Sequence, residues 1–213
     1  MIFTLHDYVR QDVATSVQAD LLRAAIAEAE HKTSAEIVVT AARESDDYIH
    51  VPLHIAAAFA LAVPLVCMIA PIAQAAPWLF SPAWHIFAIQ LLAFIFAGFA
   101  LSFPAARYAI TPQRLMVKYA HRNAASQFLA LNAHSTVGRN GLLIFVSQLE
   151  HYVEIIGDTA VTADVPQAEW QAIVDDVLQM MRRGEAAAAL EMAVQRCGDV
   201  LATHFPAKLH NPD

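Results

Sequence analysis

Between Tyr48 and Ala106 the sequence has no Asp, Glu, Lys or Arg. That gap of 59 residues excludes an ordinary solvated surface, and it is long enough for two bilayer crossings of roughly 20 apolar residues each. Basic charge is scarce too: 13 Lys and Arg stand against 20 Asp and Glu, for a net charge of -7, which excludes a nucleic-acid footprint. With only two cysteines, Cys67 and Cys197, there is no disulfide framework, and a reducing compartment fits. MIFTLHDYVRQDVATS is charged early and has no long apolar core, so no secretory signal is expected at the start. Catalytic signatures are missing as well. There is no GxSxG elbow, and GRNG at 138–141 lacks the Lys and the Ser or Thr of a phosphate loop, so it reads as a plain turn.

What fills the uncharged gap is apolar sequence of helical length. Residues 51–73 and 84–104 read as two spans joined by QAAPWLFSPA at 74–83, whose prolines and serine make a short turn. Backbone groups in lipid must be satisfied within the segment, so two such runs imply a helical hairpin. Trp78, Phe80 and Trp84 stand at the turn, with Tyr48 and Tyr108 at the other ends, as interfacial aromatic belts require. Lys and Arg are absent from the turn and present in both flanks, chiefly at Arg107, Arg114, Lys118 and Arg122. The positive-inside rule therefore predicts two cytoplasmic termini in an inner membrane. The spans hold no ionisable group but His54 and His85 near their ends, which argues against a transport path.

The charged flanks carry the soluble elements. VATSVQADLLRAAIAEAEHK (13–32) has helical spacing, with Val17, Leu21, Leu22, Ala25 and Ile26 on one stripe. AEIVVTAA (35–42) is a β-branched run read as a strand buried on both sides. A helix is predicted over 112–131, with Leu115, Tyr119, Ala125, Phe128 and Leu131 marking its apolar side. LLIFVS (142–147) and HYVEIIG (151–157) then read as an antiparallel hairpin. Two helices follow, one striped by Trp170, Ile173, Val174, Val177, Leu178 and Met181, the other by Leu190, Val194, Cys197, Leu201 and Phe205. One helix and one strand cannot bury enough surface to stand alone. The chain therefore reads as a single α/β domain in two parts, 1–47 and 107–213, interrupted by a transmembrane hairpin over 48–106, with all three strands in one sheet.

AEAEHKTSAEIVVTAARESDDY, RNGLLIFVSQLEHYVEIIGD and the later helix with its Asp-Asp pair and Arg-Arg-Gly-Glu break resemble the TPM-domain family. The likeness is to its bacterial branch with a membrane hairpin inside the domain, and it covers residues 17–50 and 113–206. The resemblance implies a three-layer α/β/α sandwich with a mixed sheet. Relatives are linked to photosystem repair, to weak acid-phosphatase activity, or to divalent cations held by acidic loops. The chain departs from the family at GDTAVTADVPQ, where a glycine-rich acidic turn is usual.

Acidic residues near strand ends are the candidate site, because hard cations such as Ca²⁺ or Mg²⁺ take carboxylate oxygens. Asp46 and Asp47 follow the first strand, Asp158 follows the third, and Asp164 lies in the loop beyond. If the strand ends after 42 and 157 share one side of the sheet, these four acids face one cleft. The bland alternative makes them solvated loop acids and helix caps, with Asp164 capping the helix near 168. His50 and His54, four residues apart, share a helical face but fall short of the three or four ligands Zn²⁺ requires, and an interfacial role fits them better. With no nucleophile assignable, the expected function is a membrane-anchored accessory or scaffold protein that binds a partner or membrane complex. A weak divalent-cation-dependent phosphatase is the alternative. Small residues on the spans (Ala56, Ala57, Ala58, Ala60 and Gly98) are compatible with a homo-oligomer.

Overall fold

The computed structural model describes residues 16–69, 84–131, 133 and 138–207. The chain divides into two compact units, Met1–Asp46 with Met116–Asp213, and Asp47–Leu115. The first unit holds α1 (Ser16–Lys32), β1 (Ile37–Ala42), most of α5 (Gln113–Ala130), β2 (Leu142–Ser147), β3 (Tyr152–Gly157), α6 (Thr159–Asp164), α7 (Gln167–Arg182) and α8 (Ala186–His204). The second holds α2 (His50–Ile69), α3 (Trp84–Ser102) and α4 (Pro104–Ile110).

The sheet of the first unit is mixed, in the order β1-β2-β3. β1 runs parallel to β2, with Ile37 opposite Leu142 and Ala42 opposite Ser147. β3 returns antiparallel to β2, with Ser147 opposite Tyr152 and Leu142 opposite Gly157. Because strand side chains alternate between faces, the sheet feeds two separate cores. Ile37, Val39, Ala41, Leu142, Ile144, Val146 and Val153 pack with α1, α7 and α8. Ala42, Leu143 and Phe145 pack with Ala120 and Ala124 of α5. β2 is buried along its whole length, as a central strand covered on both faces must be.

Two expectations need correcting here. The inward stripe of α5 is Ala120, Ala124 and Gln127, rather than Leu115, Tyr119 and Ala125. Leu143 and Phe145 fill the space between, so small residues let the helix approach while Phe128 and Leu131 pack at the margin. The segment after β3 is not a plain loop: Asp158 caps a short helix, α6, its side chain accepting a hydrogen bond from Thr159 N–H. Six residues are too few to show a helical period in sequence. Close approach also marks α1 against α8, where a Cβ on Gly198 would meet Ala29 Cβ at 2.6 Å.

In the second unit α2 and α3 pack together as two apolar helices. Among the described residues one helix, Trp84–Ser102, is long and apolar enough to cross a membrane, and none of it is buried. The first expected span, 51–73, begins one residue later than α2 and runs past its end at Ile69. Residues 70–83, which include the expected turn, lie outside the described residues. The second span stops at Ser102, two residues short of expectation, because Pro104 occupies the first turn of α4 and cannot continue the preceding ladder. Pro64 sits inside α2, and Tyr48 packs edge-to-face on Tyr108 with ring centroids 5.8 Å apart. His50 and His54 are linked within α2, His54 Nδ1 lying 2.5 Å from the His50 carbonyl oxygen.

Candidate functional site

Strand direction decides where the four acids go. β1 and β2 are parallel, so Asp46 follows the end of β1 that lies beside Ser147. β3 is antiparallel, so its exit at Gly157 returns to the opposite end, beside Leu142 and Ile37. A six-residue strand spans about 17–20 Å at ~3.3 Å per residue, so Asp46 and Asp158 lie at opposite ends of the sheet. Asp47 falls in the other compact unit, and Asp164 closes α6. Asp164 does not cap the next helix: Pro166 holds the N-cap position of α7 without a side-chain hydrogen bond. Among the described residues no three His, Cys, Asp or Glu side chains are grouped to hold a metal.

Asp158 is nonetheless a strongly built residue, 7% exposed. Its Oδ1 accepts from Thr159 N–H at 2.7 Å and from the Thr159 hydroxyl at 2.9 Å, while Oδ2 is buried with no hydrogen-bond partner among the described residues. Its own N–H donates to the Gly141 carbonyl at 2.9 Å, and Ala160 N–H donates to Arg139 O at 3.1 Å. Asn140 Nδ2 donates to Ser34 O at 2.8 Å. These bonds tie the entry of β2 to the exit of β3 and to the start of β1. They account for the residue as an anchor of chain ends.

The other end of the sheet holds a polar network that the sequence did not reveal. Ser45 N–H donates to Glu150 Oε1 at 2.7 Å, and the Ser45 hydroxyl lies 2.9 Å from Ser147 Oγ. The Ser147 hydroxyl in turn donates to Glu150 Oε2. Backbone bonds from Gln148 N–H to Ala42 O and from Leu149 N–H to Arg43 O, both 3.0 Å, bind the same two loops. Ser147 is fully buried and Glu150 nearly so. The network's chemistry is to fix the exit of β1 on the β2–β3 turn. The signal in sequence is the Ser-x-x-Glu spacing of 147 and 150, which usually announces a helix start. Only the parallel pairing of β1 with β2 shows that Ser45 joins it. Glu150→Ala leaves a buried hydroxyl and a backbone N–H without their acceptor, so a loss of about 1–3 kcal/mol is expected. It would be read as a lower urea midpoint at unchanged slope, and an unchanged midpoint would show that the network is dispensable.

A groove of about 380 Å³ runs between β3 and α7. Glu154 lies on its strand side; Trp170, Val174 and Leu178 lie on its helix side. Glu154 is held by two neighbours: Tyr152 OH donates to Oε2 at 2.9 Å, and His121 Nδ1 lies 2.8 Å from Oε1. Burial, and then the bond to Glu154, hold the Tyr152 hydroxyl well above its ordinary pKa. On α8, burial pushes the Cys197 thiol up to about 12, which leaves it a packing group rather than a nucleophile.

Residues 113–200 match the family model of the TPM domain, a stretch from α5 into α8. No curated protein matches the chain. Among solved structures it is similar to the NMR structure of BA42 protein from the psychrophilic bacterium Bizionia argentinensis. That similarity has a TM-score of 0.55 and 16% identity, over 96% of this chain and 92% of that one. At that identity the likeness bears on the fold alone.

Proposed function

We propose that this protein is a membrane-anchored accessory protein whose TPM-like α/β domain binds a partner or membrane complex. In this reading α2 and α3 form a two-span hairpin in the inner membrane, and both flanks are cytoplasmic. The observation that carries it is α3 itself: 19 residues without a charge and without a buried side chain. An uncharged helix with exposed Phe87, Leu91, Leu92, Ile95, Phe96 and Phe99 has no stable place in water. Helices against both faces of the sheet support the three-layer α/β/α arrangement. Separation of the acids draws support away from the divalent-cation phosphatase, which needs carboxylates at one centre.

Membrane fractionation with alkaline carbonate extraction tests the anchor. The native chain should remain in the pellet. Ile95→Arg, which sets a charge near the middle of α3, should raise the fraction released to the supernatant. Native protein released by carbonate without detergent would sink the reading. A reporter inserted between 74 and 83 then tests orientation, and periplasmic activity is expected.

A further inference from the structure

We infer that β3 is a docking edge for an extended peptide segment carrying the pattern apolar–basic–apolar. The inference deepens the partner-binding reading above and rests on it. In an antiparallel ladder, residues alternate between exchanging hydrogen bonds with the neighbouring strand and facing away from it. Asp158 N–H bonds to Gly141 O, which fixes the phase. Given the register, Ile156, Glu154 and Tyr152 bond to Leu143, Phe145 and Ser147 of β2. The N–H and C=O groups of Val153 and Ile155 therefore point away from β2, and among the described residues no fourth strand pairs with them. Gly157 faces the same way, but its carbonyl accepts from the Thr162 hydroxyl at 3.1 Å. Four backbone groups on two alternate residues make a template for one short added strand.

The groove specifies the side chains of that strand. A residue opposite Glu154 projects on the Glu154 face, with Cβ atoms about 4.5–5.5 Å apart. The Glu154 carboxylate accepts from Tyr152 and meets His121, which uses two of about four lone-pair sites and leaves room for a guanidinium. Residues on either side of that basic position project to the other face, alongside the half-buried Val174 and Leu178 of α7 and the exposed Gln167 and Gln171, where apolar side chains with a hydroxyl-bearing neighbour fit. A second copy of this chain fits less well. The antiparallel register centred on residue 154 would set two Glu154 carboxylates against each other, and like charges directly opposite are destabilising.

The test uses detergent-solubilised full-length protein and two fluorescent probes, acetyl-Thr-Val-Arg-Val-Thr-amide and the same peptide with Glu in place of Arg. The Arg probe should bind at least tenfold more tightly than the Glu probe. It should slow hydrogen exchange at the Val153 and Ile155 amides, because those N–H groups become donors to the added strand. Ile155→Pro, which removes an outward N–H that an edge strand can spare, should abolish binding, with a melting temperature lowered by the loss of a half-buried side chain packed on the core. Glu154→Lys should invert the preference, a result that misfolding cannot imitate. Equal binding of both probes, no binding at millimolar probe, or unprotected amides at 153 and 155 would overturn the inference. So would a dimer in light scattering that Ile155→Pro abolishes. Flotation of the same preparation with lipid reports on the anchor separately, so either idea can fail alone.

Discussion

Phe145→Ala should lower the unfolding free energy by about 3–5 kcal/mol, the range for deleting a fully buried aromatic ring. Phe145 is 0% exposed in the central strand, with Thr40 beside it on β1 and Glu154 on β3. Its ring is the largest side chain in the cluster under α5, where the helix offers Ala120 and Ala124. Neither methyl group can swing in to fill the space, and the backbone of a strand paired on both sides cannot collapse. Domain stabilities are commonly only about 5–15 kcal/mol, so the loss is a large fraction of the whole. Urea titration of the purified protein measures it, with the slope retained if the two-state transition is intact. A change below about 1 kcal/mol would mean that α5 is not packed on this face.

Gly141→Ala should cost about 3 kcal/mol, at the upper end for overpacking, although it adds a single methyl group. A Cβ at 141 would lie 1.8 Å from the Ala133 carbonyl oxygen and 2.9 Å from its carbon. Both are backbone atoms, so no rotamer change relieves the clash, and the segment before β2 must move. Gly141 also offers the carbonyl that Asp158 N–H bonds, so movement there loosens the β3 exit as well. A lowered melting temperature is expected, with the β2–β3 amides exchanging faster. A melting temperature within a degree of the native protein would show that the entry to β2 yields easily.

The three strands were legible in sequence to within about two residues, because IVVTAA and LLIFVS are unbroken apolar runs and YVEIIG alternates. α7 and α8 were equally clear, since Trp170, Ile173 and Val177 repeat at helical spacing and are buried in the structure. The inner stripe of α5 was not, because alanines give no periodic signal, and depth was decided by Leu143 and Phe145 across the interface. The acids part company for a topological reason. Asp46 and Asp158 each follow a strand, but the hairpin reverses one of those strands, so equivalent positions in sequence become opposite ends in space. Ser45 with Ser147 and Glu150 escaped notice for the complementary reason: positions about a hundred residues apart met only through the parallel pairing.

That pairing also sets a clock. Ile37 of β1 cannot find Leu142 until roughly a hundred further residues have been made, which takes about 5–20 s at a ribosome's usual pace. During this interval α1 and β1 wait as an unpartnered fragment while the uncharged helices emerge behind them. The uncharged segment has therefore left the ribosome before the sheet has a second strand, and β1 gains its partner last.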